Sequence, residues 1–111
     1  MPVQECRYVH GPQEQSTTEE CVYVIDTTGE TEDPTSPVVD YVWDLTSGTN
    51  VKATVMPSGS ASVTNNEITL PVLKLLTLGK WYRVEVHYTG ANGARLEKFF
   101  QVWCNRAATA A

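Results

Sequence analysis

Apolar and polar residues alternate with a period of two along most of this chain, the signature of half-buried strands rather than helices. Strands are predicted over Cys21 to Asp26, Val38 to Leu45, Val51 to Val55, Ser60 to Thr64, Glu67 to Leu70, Trp81 to Thr89 and Leu96 to Cys104. Only "LPVLKLL" carries apolar residues at helical spacing, and it is too short to define a helix. The turns "TTGETEDPTSP", "TSGTN", "MPSG", "TNN" and "GANG" punctuate the strands. About seven short strands at this spacing predict an all-β, antiparallel two-sheet sandwich.

The last hairpin has the sharpest pattern. Asn92-Gly93 favours a turn with positive φ, and both flanking segments alternate. Tyr82, Val84, Val86 and Tyr88 share one face, with Trp81, Arg83, Glu85 and His87 on the other. On the partner strand Leu96, Phe100, Val102 and Cys104 point inward, with Lys98 near the edge. Glu97, Phe99, Gln101 and Trp103 point outward. Ahead of the hairpin, Leu76, Gly79 and Tyr82 are spaced three apart. That spacing resembles the tyrosine corner of immunoglobulin-like and fibronectin-III-like domains, in which the Tyr hydroxyl bonds to nearby backbone. Tyr82 is accordingly read as structural. Val39, Tyr41, Trp43 and Leu45 fall on one face in strict alternation, which makes Trp43 a candidate core residue.

The N-terminal part differs in kind. "GPQEQSTTEE" and "TTGETEDPTSP" are polar, acidic and rich in Pro, Ser and Thr, so they read as loops. The expected organisation is an extended arm over residues 1–20, with "CRYVH" as a short added strand, a sandwich over 21–105 and a tail over 106–111.

Charge and chemistry narrow the function classes. Eight basic against 13 acidic side chains give a net charge of −5 without a basic stripe, so nucleic-acid binding is not expected. No long apolar run and no basic start followed by an apolar stretch occur, so neither a membrane span nor a signal peptide is expected. Cys6, Cys21 and Cys104 are odd in number and lack CxxC spacing; they read as reduced thiols, with a Cys21–Cys104 bridge as the alternative. His10 lies in the polar arm. His87 stands on a strand face beside Glu85 and Arg83 without a placed nucleophile, so the pair reads as a solvated contact rather than an active site. Asp26, Glu30, Glu32 and Asp33 could offer oxygens to calcium, but without the spacing of a known loop they read as an acidic turn. No phosphate-binding or metal-ligand motif occurs, and the expectation is a non-enzymatic protein without catalytic residues, cofactor or metal.

What stands out is a surface. Trp81, Phe99 and Trp103 fall on the outward faces of neighbouring strands, with Arg83 among them, and such aromatic patches mark contacts with partners or ligands. These four residues are the interface candidates. In the order of its pieces, "DPTSP", "WDLTSGTNVKATVMPSG" and "NEITLPVLKLLTLGKWYRVEVHYTGANGARLEKFFQV", the stretch 22–104 resembles the short immunoglobulin-like accessory proteins of tailed-bacteriophage virions. That resemblance implies a structural or attachment component of the head, neck or tail, assembled in the host cytoplasm. It would dock, through this aromatic face and the N-terminal arm, on other virion proteins or on its own copies as a homo-oligomer. The alternative is a carbohydrate-binding or adhesin module, whose aromatics would stack on sugar rings while Arg83, Glu85, His87 and Gln101 bonded hydroxyls.

Overall fold

The structure, a computed structural model, describes residues 5–9, 11–28 and 33–104. His10, Glu30, Glu32, the side chain of Cys6 and the tail at 106–111 lie outside the described residues. Among the described residues nine strands form two sheets. One contains β1 (Glu5–Tyr8), β3 (Cys21–Asp26), β7 (Glu67–Thr69) and β6 (Ser62–Thr64), in that order across the sheet. The other runs β2 (Gln13–Glu14), β9 (Arg95–Trp103), β8 (Trp81–Thr89), β4 (Thr35–Asp44) and β5 (Thr49–Asn50). The all-β two-sheet expectation stands, with one amendment: β1 pairs with β3, and β2 with β9, in parallel.

Between the sheets lie the alternate residues that the pattern placed inward. Val84, Val86 and Tyr88 of β8 and Val102 of β9 are fully buried, as are Tyr23 and Ile68 from the opposite sheet. The ring of Tyr23 packs on Phe100 across the interior at 5.2 Å between centroids. Cys21 and Cys104 are buried and form no disulfide. Tyr82 does what the corner pattern predicts: the Thr77 amide donates to its hydroxyl oxygen at 2.8 Å, Leu76 is buried, and Gly79 takes a φ of +84°. At the hairpin turn Gly93 supplies the positive φ, +84°, and the Asn92 side chain accepts from the Ala94 amide.

Two expectations fail for local reasons. The strand predicted over Val51–Val55 is a helical turn, α1 (Lys52–Val55). Its β-branched residues suit a strand, but the Asn50 side chain accepts from both the Lys52 and Val42 amides, and that double capture turns the chain. "LPVLKLL", too short to define a helix, forms none, and within it Leu73 bridges Cys21. Trp43 is not a core residue. Opposite β8, the register of β4 shifts between Val39 and Tyr41, so that one extra residue is accommodated. Val39 and Val42 therefore both face inward, while Tyr41 and Trp43 turn outward and Leu45 is exposed.

The N-terminal strands belong to different sheets. The chain follows β3 up to Val9, whose amide donates to the Val24 carbonyl, then crosses at Gly11-Pro12 and returns along β9. The return places Gln15, fully buried, across the end of the sandwich. Its amide nitrogen donates to the carbonyls of Leu73 (2.7 Å) and Glu19 (3.0 Å), and its oxygen accepts from the Tyr23 hydroxyl (2.9 Å). The Gln15 backbone amide donates to the Trp103 carbonyl, so a single residue joins both sheets.

The one buried carboxylate of the described residues, Asp44, closes the turn after β4. Burial alone would raise its carboxyl, but the hydrogen bond from Lys80 Nζ at 2.7 Å and the amides of Ser47 and Thr46 outweigh it. They hold the group below its ordinary 3.8. A folded-state value below the unfolded one means that the unfolded chain binds more protons between the two. The stabilisation is therefore complete above about pH 3.8 and disappears as pH falls through the folded value. Urea titrations should show Asp44→Asn with a lower midpoint than the parent at neutral pH, and the two midpoints converging in strong acid. A gap that persists unchanged into acid would mean that the charge on Asp44 is not what the site uses.

Candidate docking surface

The outer face of the five-stranded sheet is a grid fixed by strand register. Across β8 and β9, Trp81 stands opposite Trp103. Below them, Trp43 of β4, Arg83 and Gln101 form a row across three strands. Tyr41, Glu85 and Phe99 form the next, and Val38, His87 and Glu97 the last. All four interface candidates, Trp81, Arg83, Phe99 and Trp103, lie on this face. The β4 register shift adds two aromatics that strict alternation had placed inward, Tyr41 and Trp43.

The rings pair with neighbours. Trp81 and Trp103 stack with centroids 5.3 Å apart and planes 2° from parallel, and Tyr41 stacks on Trp43 at 4.9 Å and 19°. The Arg83 guanidinium carbon sits 4.1 Å from the centroid of Phe99, within cation–π range. Phe99 is 55% exposed and Tyr41 41%, while the three tryptophans are half-buried. Directly opposed side chains on paired strands stand about 5 Å apart, so the registers alone force the Trp81–Trp103 contact.

Polar groups tie the grid together. Glu85 Oε2 accepts from Trp43 Nε1 at 3.1 Å and lies 3.1 Å from Arg83 Nε. That second contact is an ion pair without hydrogen-bond alignment, which leaves Arg83 Nε buried with no partner of its own. At the far end, His87 Nδ1 contacts Asp40 Oδ2, and His87 Nε2 lies 2.7 Å from Glu97 Oε2. Both ring nitrogens are thus occupied by carboxylates rather than by a hydroxyl or thiol that they could activate. Half-exposed pairs of this kind contribute little to stability. Among the described residues no three His, Cys, Asp or Glu side chains are grouped to hold a metal. In the predicted acidic turn, the Asp26 side chain accepts from the Thr28 amide, and the Asp33 amide donates to the Asn66 side chain.

Searches for this chain's likeness among protein-family models, curated proteins and solved structures each return no match. Its chemistry has to be read from its own residues. Trp, Tyr, Phe and Arg are the types enriched in the energetic centres of protein interfaces, and the grid collects five such rings around one guanidinium, with carboxylates toward one end.

Proposed function

We propose that this protein is a non-enzymatic attachment module that docks on a protein surface through the outer face of the β2-β9-β8-β4-β5 sheet. The observation that carries the reading is the aromatic grid centred on Arg83, with Trp81, Trp103, Trp43, Tyr41 and Phe99 around it. The fold is of immunoglobulin-like type in this reading. Its support is the strand order, which parallels the ABED and GFC sheets of that architecture with two short strands, β2 and β5, added at the edges of the second, together with the tyrosine corner at Tyr82. The parallel β1–β3 pair and the outward Trp43 depart from that architecture. Given the resemblance of residues 22–104, the partner is another component of a phage particle or a further copy of this chain, and the place of action is the virion.

Sugar binding is the weaker use of the same residues. A carbohydrate stacks on an open aromatic face, whereas here each of the five rings already gives one face to a neighbouring ring or guanidinium. Edges and half-covered rings suit the interdigitating contacts of a protein interface. Light scattering over a concentration series, run beside a glycan array, separates the two. The expected result is a blank array, with a defined oligomer or, for a solution monomer, co-assembly with a structural protein of the particle. Specific glycan binding by a chain that stays monomeric and joins no particle protein would overturn the proposal.

A further inference from the structure

Among the described residues, one edge of the five-stranded sheet is open over most of its length. β2 lies beside β9 only at Val102 and Trp103, so among the described residues no strand pairs with the outer edge of β9 from Arg95 to Phe100. The direction of its backbone groups follows from two bonds. The Trp103 carbonyl accepts from the Gln15 amide on the β2 side, whereas the Cys104 amide donates to the Lys80 carbonyl on the β8 side. Since successive residues of a strand alternate in this respect, the N–H and C=O groups of Glu97 and Phe99 and the N–H of Gln101 point to the open edge, while the Gln101 carbonyl faces Gln13 of β2.

The edges at β4, β5 and β6 are blunted, as sheet edges usually are. β4 carries Pro37, a φ of +52° at Ser36 and two register shifts, and β5 and β6 are only two and three residues long. By contrast, β9 holds nine consecutive pairs with β8 and contains neither proline nor glycine. Beside this edge, in the gap between the sheets, is a cavity of about 410 Å³. Val9, Pro12, Ile25 and Phe100 line it, with Asp26 and Lys98 also on its wall.

We infer that the β9 edge and this cavity form a strand-addition site, which takes an extended segment of another protein carrying a bulky apolar side chain. Backbone bonds to Glu97, Phe99 and Gln101 would hold the segment, and its inward side chain would fill the cavity. A second copy's β9 is a poor occupant. The residues that would have to point into the cavity are its own Leu96 and Phe100, and these already pack against its core. The site is separate from the aromatic face, although Phe99 and Gln101 border both.

The test uses the whole chain and a display library of short random linear peptides, followed by synthesis of the most enriched sequence. In the unliganded protein, hydrogen exchange should be faster at the amides of Glu97, Phe99 and Gln101 than at those of Lys98 and Phe100. The selected peptide should alternate apolar with polar residues and protect those three amides. Gln101→Pro removes one donor from the open edge without taking a bond from the β8 ladder, and Val9→Phe fills the cavity while leaving the edge intact. Each should weaken the peptide about tenfold or more, with circular dichroism unchanged. Three results would overturn the inference: no enrichment over blank beads, slow exchange at the three amides in the free protein, or binding that neither variant alters. Binding lost only in the Trp81→Ala/Trp103→Ala protein would place the peptide on the aromatic face and also overturn the strand-addition site.

Discussion

Gln15→Ala will lower the stability of this protein by about 3 kcal/mol, a large share of what a domain of this size possesses. The side chain makes three hydrogen bonds in a fully buried position, to Leu73, Glu19 and Tyr23, each worth about 1 kcal/mol net. Truncation also leaves a void against Tyr23 and removes the acceptor that faces its buried hydroxyl. The melting temperature should fall by roughly 10 °C or more, as read by calorimetry. Tyr23→Phe offers a check on the mechanism. Once Gln15 is gone, removing the hydroxyl should cost less than it does in the parent, because the group has already lost its acceptor at Gln15. Additive losses, or a melting temperature unmoved by Gln15→Ala, would show that the seam between the sheets is held by something else.

Trp81→Ala/Trp103→Ala should have the opposite profile, a large loss of docking and a small loss of stability. The stacked pair contributes about 0.5–1.5 kcal/mol to the fold beyond its burial, so the melting temperature should drop only by several degrees. Tryptophans at the centre of an interface typically cost about 2 kcal/mol or more each on truncation. Together that amounts to about a thousandfold in affinity, enough to abolish association at ordinary concentrations. The measurement pairs a melting curve with the dissociation constant for whichever protein surface, its own or a partner's, light scattering identifies. A collapse of the melting temperature would instead assign the two rings to the fold. Docking that survives the double substitution would remove the aromatic grid as the contact.

The parts of the fold legible in sequence were those governed by local alternation. In the β8–β9 hairpin, apolar residues, turn glycine and tyrosine corner all pointed one way, and the outward positions of Trp81, Arg83, Phe99 and Trp103 followed from parity alone. On β4 the same rule failed, because a single extra residue between Val39 and Tyr41 shifts the phase and leaves no mark in the pattern of residue types. Two of the five rings of the grid, Tyr41 and Trp43, escape the pattern for that reason. Asn50 carried a signal in principle, since an Asn ahead of a supposed strand is a turn former, but the β-branched residues after it read more strongly. Gln15 was illegible. A glutamine in a polar, threonine-rich run looks solvated, and only the crossing of the chain at Gly11-Pro12 carries it into the interior. The parallel pairing of β1 and β2 has no sequence signature either, because it depends on partners far along the chain.

That crossing also sets the order in which the protein can be completed during its own synthesis. β3, β7 and β6 leave the ribosome early and can pair as they emerge, and β1 can join them. Gln13, however, pairs with Val102, and the Gln15 amide waits for the Trp103 carbonyl, so the first strand of the second sheet finds its partner only when the last one arrives. Until then one edge of β8 is unpaired, the kind of exposed edge on which incompletely folded chains aggregate. A chain that stops short of β9 leaves β2 without its partner, so the two sheets are joined at this end only once the last strand is in place.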